Sequence, residues 1–131
     1  MEKVQALLLE KDIRPTQQRV QIASKLLVRP QHLSADQVLA LANQDETVVS
    51  KATVYNTLNL FVEKGLIRQV IIESGKVFYD SNTHTHHHIY NEDTGRLQDV
   101  AETEVSLKNA PVLPANTVKT GIDVIIRVKN R

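Results

Sequence analysis

In the first half of the chain apolar side chains recur at three- and four-residue intervals, the spacing of helices with one buried stripe. Val4, Leu7 and Leu8 predict a short opening helix that ends near Arg14-Pro15, because the residue before a proline is pushed out of helical geometry. Thr16 caps a second helix, which carries Val20, Ala23, Leu26 and Leu27 on one face and stops before Pro30. Ser34 and Gln37 have the spacing of a capping box and open a third, with Val38, Leu41 and Ala42 inward. Ser50 caps the fourth, whose stripe is Val54, Leu58, Phe61 and Val62 and which Gly65 ends in a left-handed conformation.

After Gly65 the period shortens. Leu66 to Ile72 and Val77 to Tyr79 are rich in β-branched and aromatic residues and flank Glu73-Ser74-Gly75-Lys76, a hairpin pattern. Helices followed by a hairpin are the order of a winged helix-turn-helix, whose last helix is the one placed to enter the DNA major groove. A second hairpin is expected where His84 to Asn91 and Arg96 to Val100 flank the loop Glu92–Gly95. Pro111 and Pro114 mark a loop, and Ile122, Val124, Ile126 and Val128 alternate as a half-buried strand that completes a three-stranded sheet.

Composition narrows the chemistry. The 131 residues contain no cysteine, which excludes a disulfide framework, a thiolate zinc cluster, an iron–sulfur site and a thiol nucleophile. Apolar runs fall far short of the ~20 residues of a membrane span, so a soluble cytoplasmic protein with no membrane partner is expected. Sixteen basic against fifteen acidic side chains give a net charge of +1, too balanced to indicate a nucleic-acid partner by itself. Residues 1–29 are locally basic, with Lys3, Lys11, Arg14, Arg19, Lys25 and Arg29 against Glu2, Glu10 and Asp12.

Opposite the buried stripe of the fourth helix lie Ala52, Asn56 and Asn59, flanked by Thr53 and Tyr55. This face is small, polar and free of carboxylates, which suits base edges and phosphates; a solvated helix back is the plainer reading. Arg14 and Arg19 are placed to hold the DNA backbone or to enter the minor groove.

Four of the five histidines, His84, His86, His87 and His88, fall within five residues. Counting back from the Glu92–Gly95 loop sets His88 opposite Asp99, and strand alternation turns His86 and His88 to one side and His87 to the other. Two imidazoles and a carboxylate supply three of the four to six ligands of a divalent first-row metal, and Asp80 could supply a fourth. A solvated polar strand and a hydrolytic zinc are the competing readings. The chain has no second nucleophile or oxyanion motif, so binding rather than catalysis is expected.

Arg14-Pro15-Thr16-Gln17-Gln18-Arg19, His32-Leu33-Ser34-Ala35-Asp36, Ser50-Lys51-Ala52-Thr53-Val54-Tyr55-Asn56-Thr57-Leu58 and the histidine run, in that order, resemble the ferric uptake regulator (Fur) family of metal-dependent bacterial transcription factors. The uninterrupted His86-His87-His88, Asn56 and the cysteine-free Glu92-Asp93-Thr94-Gly95 turn are most similar to its iron response regulator (Irr) branch.

The resemblance implies an α+β protein, with a winged helix-turn-helix DNA-binding domain over 1–80 and a small α/β dimerisation and metal-sensing domain over 81–131. It implies a homodimer on a double-stranded DNA operator, repressing genes of iron or haem metabolism. It also implies a sensor site for Fe, Mn or Zn at His32, Asp80, His86, His88 and Asp99, with His87 left as a second-site or haem ligand. The implied DNA contacts are Arg14 in the minor groove, Arg19 at phosphate and Tyr55 on thymine methyls, with Lys51, Ala52, Thr53 and Asn56 beside them. Asn91 and Thr94 stand where many relatives have the first Cys-x-x-Cys pair, so no structural four-cysteine zinc is expected. A peroxide sensor and a zinc or manganese regulator share this pattern.

Overall fold

The computed structural model describes residues 2–44, 48–73, 75–84 and 86–131. They group into two compact units, Met1–Thr83 and His84–Arg131. The mixture of helices and separate sheets is the expected α+β composition.

The first unit contains four helices and a small sheet; the helices are α1 (Glu2–Glu10), α2 (Gln17–Leu26), α3 (Ala35–Ala42) and α4 (Lys51–Glu63). α1 closes earlier than the proline signal predicts. Lys11 N–H reaches back to Leu7 and Leu8, Asp12 takes φ 58°, and Ile13 N–H bonds the Leu8 carbonyl at 2.8 Å while its side chain is buried. A left-handed residue followed by an apolar anchor ends the helix before Pro15 can act. The other boundaries follow their caps: Thr16, Ser34 and Ser50 each accept the amide three residues on, Ser34 with Gln37 in a reciprocal box. Gly65, at φ 76°, follows the last turn of α4.

Val20, Ile22, Leu26, Val38, Val54, Leu58 and Phe61 form the centre of one apolar core, which Leu66, Ile67 and Tyr79 extend. Gln21 is buried on the same side of α2, and its Nε2 donates to the Ala42 carbonyl at 2.7 Å, satisfying the end of α3. The sheet has order β1-β3-β2, all antiparallel, from β1 (His32–Leu33), β2 (Arg68–Glu73) and β3 (Lys76–Asp80). The β2–β3 hairpin is as expected, although Ser74 of its turn lies outside the described residues. The two-residue β1 is an addition. A register irregularity between Ile71 and Glu73 makes Ile71, rather than Ile72, the partner of Val77.

In the second unit β4 (His86–Asn91) lies between β5 (Leu97–Ala101), antiparallel, and β6 (Ile125–Val128), parallel. The Glu92–Gly95 loop closes as counted: Asn91 N–H bonds the Arg96 carbonyl, Gly95 N–H bonds the Asn91 carbonyl, and Gly95 takes φ 74°. Asn91 Oδ1 accepts the amides of Asp93 and Thr94, its Nδ2 donates to Asn130, and Asn130 N–H donates to Asp93.

The expected α/β character of this half is not found. Among the described residues it contains no α-helix, only a 3-10 turn over Glu102–Glu104 and an irregular run to Val124. Pro111 and Pro114 remove helical amides there, and Val112 and Val118 lie almost fully exposed. β6 begins at Ile125, so Ile122 and Val124 precede the strand.

Candidate metal centre and nucleic-acid interface

In the first unit β1 exists because His32 and Leu33 pair with Asp80 and Tyr79 of β3. That pairing sets His32 Nε2 3.7 Å from Asp80 Oδ2, while Asp80 Oδ1 accepts the Asn82 amide at 2.8 Å. Asp80 is fully buried and His32 half-buried. A buried carboxylate with one oxygen held by an amide presents its second oxygen in a fixed direction.

In the second unit the ladder places His88 opposite Asp99 and His86 opposite Ala101. His86 Nε2 and His88 Nε2 lie 3.3 Å and 3.4 Å from the same atom, Asp99 Oδ1. Their rings meet edge to face with centroids 4.7 Å apart. His86 Nδ1 donates to the His84 carbonyl, which fixes the ring with Nε2 facing the carboxylate oxygen. Protonated rings can each donate to Asp99 Oδ1, and neutral rings can share a metal ion with it. Atoms bound at about 2.0–2.2 Å to one ion stand about 3.0–3.5 Å apart, so the trio has the spacing of a ligand set. The bond from His86 to a backbone carbonyl is the outer-shell contact that orients a ligating imidazole.

His87 turns to the opposite face, as alternation requires, but does other work. Its Nδ1 accepts the Val124 amide at 3.0 Å, and the next residue, His88, donates its own amide to the Val124 carbonyl at 3.1 Å. With Nδ1 committed, the neutral ring carries its proton on Nε2 and offers no lone pair to a metal. His87 is therefore a fastener for the chain entering β6 rather than a second-site or haem ligand. His86 and His88 together do not fit the two axial positions of one haem iron. Bis-histidine ligation sets the rings on opposite faces of a macrocycle, and these two buried rings share one side of one strand.

On α4, Lys51, Ala52, Tyr55, Asn56 and Asn59 are exposed, opposite buried Val54, Thr57, Leu58 and Phe61. Thr53 is half-buried, and its Oγ1 accepts the Ser50 hydroxyl at 2.9 Å. Lys51 Nζ lies 5.9 Å from the centroid of the Tyr55 ring, a cation–π contact one helical turn apart. Arg14 is exposed, and Arg19 donates through Nη1 to the Arg14 carbonyl at 3.0 Å. Arg19 thus braces the backbone of the residue expected to meet DNA. Sequence reasoning had missed β1 and the Val124 fastening.

A family model described as the ferric uptake regulator family matches residues 10–123. The chain belongs to the ferric uptake regulator family. Fur-family proteins are metal-responsive, DNA-binding transcription regulators and not enzymes. This chain is 32% identical over 99 residues to the peroxide-responsive repressor PerR of Staphylococcus aureus, covering 76% of this chain and 67% of that protein. The Vibrio cholerae ferric uptake regulator superposes with a TM-score of 0.73 at 24% identity, covering 96% of this chain and 98% of that one. The Pseudomonas aeruginosa ferric uptake regulator, solved with manganese, gives 0.69 at 22% identity, covering 95% of each. These two structures establish the Fur fold. No helix among the described residues is long and apolar enough to cross a membrane.

Proposed function

We propose that this Fur-family chain is a homodimeric repressor whose affinity for an operator depends on one divalent ion per protomer, held by His32, Asp80, His86, His88 and Asp99. The observation that carries this reading is the convergence of His86 Nε2 and His88 Nε2 on Asp99 Oδ1. His32 and Asp80 form a second donor pair across the β1–β3 ladder. In this reading occupancy changes the affinity of α4 for its operator. In a dimer, affinity depends on the spacing of two recognition helices.

Nitrogen and carboxylate oxygen donors suit Fe(II), Mn(II) and Zn(II). Iron is the proposed signal and genes of iron and haem metabolism the proposed targets, in keeping with the resemblance of the cysteine-free turn and the histidine run to the Irr branch. Tyr55, Asn56, Thr53 and Ala52 face bases in this reading, while Lys51, Arg14 and Arg19 meet the backbone or minor groove. The likeness to a peroxide-responsive repressor supports a second reading, in which Fe(II) at the same ligands makes the site oxidisable.

The test begins with duplexes selected from a random pool by the Mn(II)-loaded protein. Replacing His86 and His88 together by Ala is expected to abolish the dependence of DNA affinity on Mn(II). Regulation that survives intact removes the metal site from the function. For the peroxide reading, loss of DNA affinity when the Fe(II) protein, but not the Mn(II) protein, meets hydrogen peroxide is the deciding result.

A further inference from the structure

Asp80 is fully buried, and its two cross-strand neighbours differ in kind. On β1 it faces His32; on β2 it faces Arg68. Arg68 owes that position to the irregularity between Ile71 and Glu73. From the closing pair Glu73 and Lys76, an unbroken ladder would set Gln69 against Asp80. The extra residue advances β2 by one, so exposed Gln69 pairs with Tyr79 and half-buried Arg68 pairs with Asp80. Bulges re-aim side chains in this way. Directly opposed residues share a face with Cβ atoms about 4.5–5.5 Å apart, within easy reach of a guanidinium. Arg68 Nη1 is itself buried, so a cation lies inside the protein on the strand beside a buried carboxylate.

Taking His32 and Asp80 as ion ligands, as proposed above, we propose that Arg68 is the internal counter-ion of Asp80. In the metal-free protein it holds the carboxylate in place; a divalent ion arriving beside His32 and Asp80 competes with it and is repelled by it. Removing a buried carboxylate from water without a partner is costly, and the bulge supplies that partner. The guanidinium keeps its charge at every physiological pH, so its opposition to the ion is constant. Arg68 thereby sets the ion concentration at which the site fills, as a positioning residue that touches the ligand and not the DNA.

The test compares wild type with Arg68→Gln, using Mn(II) and Zn(II) in competition with a chromophoric chelator, and melting of each form with and without ion. Arg68→Gln is expected to bind ion more tightly, by about tenfold for one positive charge removed near the site. The metal-free variant is expected to melt ~5 °C lower, with a smaller deficit once ion is bound. A merely structural residue would loosen ion binding when replaced, so the gain in affinity is the diagnostic sign. Arg68→Lys, which keeps the charge without the planar fork, is expected to return ion affinity towards wild type and serves if the Gln variant does not fold. Unchanged or weaker ion binding by Arg68→Gln overturns the proposal.

If wild type binds no ion, the reading of His32 and Asp80 as ligands fails, and competition at Asp80 fails with it. The counter-ion role is then decided by metal-free melting of Arg68→Gln, Asp80→Asn and the double variant. Losses smaller together than summed sustain it, and additive losses overturn it.

Discussion

The two units are held together by different physics. The first buries leucine, isoleucine, valine and phenylalanine from four helices in one continuous core. The second buries three histidines beside Tyr90, Leu97 and Val100, and relies on a backbone ladder, the Asn91 turn and the Val124 fastening. In the reading proposed above, hydrophobic burial is indifferent to the ion, whereas the cluster of imidazoles and a carboxylate would gain stability from binding it. In that reading the helical core of the first unit persists whatever the ion does, and the histidine cluster of the second responds to it.

That contrast can be broken by experiment. The largest effect is expected from Phe61→Ala, which empties the middle of the first core and should lower its stability by about 3–5 kcal/mol, read by urea unfolding followed through helical circular dichroism. Loss of the same size with bound Mn(II) as without it supports the contrast; rescue by the ion would break it. Next comes the ion itself: at a hundred times its dissociation constant Mn(II) should add ~2.7 kcal/mol, and chelation should remove it. Amide exchange over β4 and β5 reports where that stability resides, and protection gained only in α1–α4 would contradict the division.

Asn91→Ala removes the acceptor of two amides and the link to Asn130, and should cost about 1–2 kcal/mol by the same urea titration, with ion or without. A cost that vanishes on adding ion would make the turn part of the metal centre. Smallest is Ser50→Ala, which removes the α4 cap for about 1 kcal/mol. Tyr55→Ala, at 39% exposure, should leave melting unchanged while weakening binding to the selected duplex; unchanged affinity would remove α4 as the reader.

Local signals were legible in the sequence wherever one interaction decides the geometry. Thr16, Ser34 and Ser50 each fix a helix start through a single side chain, and the Glu92–Gly95 loop fixes the β4–β5 register, so His88 could be paired with Asp99 by counting. Counting fails across β2 and β3 because a bulge carries no composition signal among β-branched residues, and Arg68 is found only once the ladder is seen. The β1 strand is two residues long, too short for any period, and forms through its pairing with Asp80 and Tyr79. α1 ends on an aspartate in a left-handed conformation, which sequence favours less than glycine. His87 looked like a ligand because imidazole is both a metal donor and a hydrogen-bond acceptor, and only the Val124 amide decides between the two.

The central strand of the second unit acquires its two neighbours by unequal routes. β5 follows β4 across a four-residue loop, whereas β6 pairs with it across a sequence separation of 37, as in the Val124 to His87 bond. Closing the short loop costs far less chain entropy, so the hairpin is the earlier product of folding and the parallel pairing the later one. His86, His88 and Asp99 all lie on that hairpin. In the reading proposed above, the nascent second unit could therefore capture the ion before β6 is in place, and an ion bound that early would act as a folding template.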